Sequence, residues 1–116
     1  MELEQAARLL VTKLCAGTPL AGWQVRIEVG HIVDPEECAA TMRFIEPEEQ
    51  RAVMRVEPTW DQSTSLTFAE LVAHELGHLL TSDMMEFLPE SPQRTSVEER
   101  LATRFGALLR SKAGGT

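Results

Sequence analysis

The sequence predicts an α+β domain of three helices and a small three-stranded sheet, in the order helix, strand, strand, strand, helix, helix. Apolar residues recur at helical spacing in three separate segments, and a strict two-residue alternation runs from residue 23 to 29. Two weaker alternations follow across an acidic turn. With 116 residues, 43% hydrophobic and 25% charged, and no repeat or dividing linker, residues 1–116 are expected to form a single domain with its own core.

The first helix is read over residues 3–15. Leu3, Ala7, Leu10, Val11 and Leu14 make its apolar stripe, Glu4, Arg8, Thr12 and Lys13 occupy the rest of the cylinder, and AGTPLAG ends it. In WQVRIEV, Trp23, Val25, Ile27 and Val29 alternate with Gln24, Arg26 and Glu28, as in a strand with one wet face. ATMRFI and RAVMRVE read as a hairpin across EPEEQ, closed by Pro58. RAVMRVE, just upstream of the next helix, is the candidate for an unpaired sheet edge. Thr67 and Glu70 have capping-box spacing, which starts the second helix about one turn before His74. The stretch 81–95, TSDMMEFLPESPQRT, reads as a loop into a last helix from about Val97 to Arg110, with Val97, Leu101, Phe105 and Leu108 as its stripe.

Eleven Lys and Arg against eighteen Asp and Glu leave a formal charge of -7, so neither nucleic acid nor an anionic membrane is an expected partner, and a basic partner or substrate fits better. No apolar run reaches membrane-span length, and MELEQAARLL is acidic where a secretion signal would be basic, so a cytoplasmic protein is expected. Cys15 and Cys38 form no metal or redox spacing and read as buried, reduced thiols.

The segment LVAHELGHLL, residues 71–80, carries His74, Glu75 and His78 in an otherwise apolar run. Imidazoles four residues apart on a helix lie about one turn from each other, roughly 6 Å, and can converge on one tetrahedral ion. The intervening Glu75 then flanks the ion, placed to act on its water as a general base without being a ligand. The competing reading is a structural helix whose histidines are merely hydrogen-bonded. Leu71, Val72, Ala73, Leu76, Leu79 and Leu80 make the helix apolar almost all round, and polar groups in such a setting need partners.

With HELGHLL preceded by a helix and a small sheet, the chain resembles the zincin metallopeptidases, and its GHLL ending is similar to compact ImmA/IrrE-type and other minimal gluzincins. The resemblance implies a zincin-like fold with an active-site helix and a C-terminal helix whose glutamate completes a zinc site. Glu99, Ala102, Thr103, Phe105 and Gly106 fit the pattern E-x-x-A-polar-x-F-small of that helix. The metzincin pattern fails, since Thr81 and Met84 stand where a glycine and a third ligand would be. Asp83 would reach the ion only if the helix broke directly after His78.

Two neighbouring residues compete for the third ligand. The resemblance selects Glu99, while the apolar stripe selects Glu98, which lies between Leu101, Ala102 and Phe105 in projection. Capping divides them again: Thr95 as the cap would engage Glu98 and free Glu99, and Ser96 as the cap would do the reverse. The expected zinc ligands are His74, His78 and Glu99, with Glu98 as the alternative.

The implied activity is hydrolysis of a peptide or protein substrate through a zinc-activated water, with Glu75 as general base. Many zincins add a Tyr or His to steady the oxyanion; this sequence has no tyrosine, and His31 lies in a turn and receives no role. The alternatives are a zinc-binding module of the same fold with a recognition or regulatory role, and a metal-free scaffold.

Overall fold

The computed structural model describes residues 2–32, 39–62, 64–85 and 91–112. Along the chain it forms α1 (Leu3–Cys15), a 3-10 turn (Pro19–Gly22), β1 (Gln24–Val29), β2 (Ala40–Glu46), β3 (Arg51–Val56), a second 3-10 turn (Trp60–Gln62), α2 (Phe68–Met85) and α3 (Pro92–Lys112). The architecture is α+β, in the element order that the sequence predicts.

Helix α1 buries Ala7, Leu14 and Cys15 on one face. The Thr18 hydroxyl donates to the Cys15 carbonyl at 2.6 Å and accepts the Leu20 N–H at 3.1 Å, so one side chain closes the helix and opens the turn on Pro19. Burial pushes the Cys15 thiol up to about 11, and Cys15 is unpaired. Cys38 lies outside the described residues.

The sheet order is β1-β3-β2, with β1 parallel to β3 and β2 antiparallel to it. RAVMRVE is therefore the central strand, which corrects its reading as an edge. Its alternate residues Ala52, Met54 and Val56 are buried against the helices, while both of its sides are hydrogen-bonded to neighbours. Strand β2 takes one outer position instead. Its register with β3 runs from Arg43 opposite Val53 to Glu46 opposite Arg51, so β2 carries one extra residue there, a bulge. Phe44 sits in that bulge at φ 50, with the Arg43 guanidinium over its ring.

Ile27, Ala40, Ala52, Met54 and Val56 of the sheet share one core with Leu71, Val72, Leu76 and Leu79 of α2. The capping box that starts α2 is present, with Glu70 N–H donating to Thr67 Oγ1 at 3.2 Å and Thr67 N–H to Glu70 Oε1 at 3.1 Å. The helix then continues to Met85, through residues expected to be loop. Polar Thr81 and Ser82 do not break it, because their hydroxyls bond back to the helix's own carbonyls at Gly77 and Leu79.

Helix α3 also begins earlier than Val97, at Pro92. Ser91 Oγ caps it by accepting the Arg94 N–H at 3.0 Å, and a proline is well suited to the first helical position. Neither Thr95 nor Ser96 is the cap. The buried face is not the expected stripe either: Ala102, Gly106 and Leu109 are buried, Val97, Leu101 and Phe105 are half-buried, and Leu108 is exposed. Among the described residues, no helix is long and apolar enough to cross a membrane.

Candidate metal centre

Helices α2 and α3 pack antiparallel, and small residues decide how closely. Gly77 lies against the backbone of Ala102, and Gly106 against that of Ala73 and His74, with no room for a methyl group at either glycine. Stepping along α3 from Gly106 through Ala102 by three and four residues reaches Glu99, which is thereby turned toward α2.

There the Glu99 carboxylate spans the two imidazoles. Its Oε1 is 3.1 Å from His74 Nε2, its Oε2 is 3.2 Å from His78 Nε2, and the two nitrogens are 3.2 Å apart. Glu98 bonds neither ring. It failed to face them because the large apolar residues that mark a stripe in the sequence are only half-buried, whereas the true contact follows the small residues one position on.

Bonds of about 2.0–2.1 Å to a tetrahedral zinc ion place adjacent ligand atoms roughly 3.3 Å apart. The separations of 3.1–3.2 Å among the nitrogens and the Glu99 oxygens match that spacing. In the group His74, Glu75 and His78, one donor atom from each residue lies within 4.8 Å of the others. Glu99 bridges the two imidazoles and is the more accessible of the two carboxylates.

Glu75 is 7% exposed. Burial, and after it the charge of Glu99, pushes its carboxyl up to about 8, opposed by the backbone N–H of Met42. Burial also lowers His78 from its ordinary 6.5, with Glu99 pulling the other way. That favours the neutral imidazole, which is the form that binds metals.

The centre opens into a cleft of about 440 Å³, walled by β2 residues including Thr41, Met42 and Ile45, by Thr64 and Leu66, and by the two helices. The strand beside the centre is therefore β2, and its Met42 N–H acting on Glu75 was missed in the sequence; alternation locates a strand but not its neighbour. Asp83 loses the condition it needed, since α2 runs unbroken past His78. His31 is away from the cleft, its Nδ1 3.1 Å from Oε1 of the buried Glu57. Compared with known proteins, the chain matches no family model, no curated protein and no solved structure.

Proposed function

We propose that this protein is a zinc-dependent metallopeptidase of minimal gluzincin design, in which His74, His78 and Glu99 hold the ion and Glu75 is the general base. One observation carries the reading: the two Nε2 atoms lie 3.2 Å apart and each lies 3.1–3.2 Å from one oxygen of the Glu99 carboxylate, with a buried second carboxylate beside them. Two neutral imidazoles with Glu75 and Glu99 as carboxylates balance a dication.

Zinc bound there would supply Lewis acidity toward a water and a substrate carbonyl. The remaining steps belong to the chain. Burial first, and the charge of Glu99 after it, push the Glu75 carboxyl up, and a cation held by Glu99 would remove the second cause and so favour the carboxylate a base must be. Glu75 then accepts the proton of the attacking water and delivers it to the leaving amine. The outer side of β2, without a strand partner among the described residues, offers main-chain groups to an extended peptide along the cleft.

A second reading, a zinc module without peptidase activity, is favoured by the composition of the cleft wall. Among the described residues it holds no tyrosine, lysine or arginine, and no histidine besides the two proposed ligands, so of these residues only hydroxyls and backbone groups remain to face an oxyanion.

Elemental analysis decides the metal and a peptide library decides the activity. The parent is expected to hold about one zinc per chain, to lose it in Glu99→Ala and to keep it in Glu98→Ala. Glu75→Gln is expected to keep the zinc while losing cleavage at least about 100-fold. Zinc retained in Glu99→Ala would remove that residue from the ligand set, and a zinc-loaded parent that cuts nothing would leave the binding module.

A further inference from the structure

We infer that Glu98 is a specificity residue, selecting substrates that present an ammonium or guanidinium group one helical turn beyond His78. The inference rests on the metallopeptidase reading and adds the substrate class to it.

The antiparallel pairing of Gly77 with Ala102 and of Gly106 with Ala73 brings the turn of α2 that follows His78 beside the turn of α3 that carries Glu98. Ser82 of that α2 turn and Glu98 both line the cleft. The neighbouring carboxylates are already committed: Glu99 to the two imidazoles, Glu75 to its buried position, and Glu70 to Thr67 and Arg110. Glu98 makes no hydrogen bond or ion pair with any described residue. Although the sequence has 11 lysines and arginines, none is among the described residues that line this cleft.

Charge decides what such a wall prefers. With Glu99 assigned to the metal and Glu75 to the base, Glu98 is the carboxylate of the described cleft lining left with neither a partner nor a role. A substrate group of charge +1 would pair with it. The same carboxylate borders a groove lined by Ser91, Arg94 and Thr95, so a chain held at the metal can continue past it. A solvated carboxylate of no consequence would have the same position on the helix, and binding measurements separate the two.

The cation has two possible sources, a lysine or arginine side chain and a free N-terminus, and three probes distinguish them. Calorimetry on the zinc-loaded protein would compare Nα-acetyl-lysine hydroxamate, Nα-acetyl-norleucine hydroxamate and norleucine hydroxamate with a free α-amine. One of the cationic probes is expected to bind about 5-fold tighter than the neutral one, with that preference lost in Glu98→Gln and reduced at high salt. Preference for the acetyl-lysine probe assigns a side chain, and preference for the free amine assigns an N-terminus. Equal binding of all three by the parent, or a preference that survives in Glu98→Gln, overturns the inference while leaving the metal site intact. If zinc does not load, or the neutral hydroxamate fails to bind the loaded protein, the metallopeptidase reading falls and this inference with it.

Discussion

Glu70 serves α2 at its first turn and α3 near its last. Its Oε1 accepts the Thr67 N–H at 3.1 Å, and its Oε2 meets the Arg110 guanidinium at 3.0 Å. The Thr67 bonds first, and Arg110 after them, hold the carboxyl below its ordinary 4.5. A carboxylate whose pKa is lower folded than unfolded adds stability that is fully present above 4.5 and is lost as pH falls through the folded value. Glu70→Gln keeps an oxygen for Thr67 and discards the charge, so it is expected to lose less melting temperature than the parent between about pH 7 and about pH 3. Equal losses in the two proteins would deny the carboxylate that part. This capping pair was readable in advance because both partners lie within one turn. So was the placement of His74, Glu75 and His78, which helical geometry alone puts in order. Glu99 was harder, since choosing it over Glu98 required knowing which face of α3 comes closest to α2, and that face is marked by Ala102 and Gly106 rather than by large apolar residues.

Between elements, the contact at Gly77 decides where Glu99 stands. A Cβ at Gly77 would land on the Ala102 carbonyl, and backbone there has no rotamer by which to retreat. Alanine ordinarily favours a helix over glycine by about 1 kcal/mol, but forcing two packed helices apart costs about 1–3 kcal/mol or more, so the packing term wins. Gly77→Ala is expected to lower the denaturant midpoint and, by moving α3 away, to weaken zinc binding at least about 10-fold. A variant as stable as the parent and with the same zinc affinity would show that the close approach does not set the site. The helix ends flanking this contact were misread in the sequence for a local reason. Thr81 and Ser82 are poor helix interiors on propensity, yet each satisfies its hydroxyl within α2, and Ser91 with Pro92 starts α3 earlier than the apolar stripe implies.

For the molecule as a whole, the alternation in residues 23–57 told which segments are strands but not which is central. The parallel pairing of β1 with β3 depends on a connection between β1 and β2 that carries no periodicity, and no local pattern reports it. This arrangement puts β2 beside the cleft and leaves α3 resting on the rest of the protein chiefly through α2. Among the described residues, two polar links connect that helix pair: the Glu70–Arg110 ion pair, and the cluster of His74, His78 and Glu99. Beside the second link the carboxyl of Glu75 is pushed up, first by its burial and then by the charge of Glu99. A metal that binds only the folded chain would strengthen that link. At free zinc about 100-fold above the dissociation constant, mass action adds about 2.7 kcal/mol, which for a domain of this size raises the melting temperature by about 10 °C. Zinc is expected to produce that rise in the parent, a chelator to abolish it, and Glu99→Ala to show neither effect. A parent whose melting temperature ignores both zinc and chelator would have no metal link between α2 and α3, and the cluster would then be an ordinary hydrogen-bonded contact between two helices.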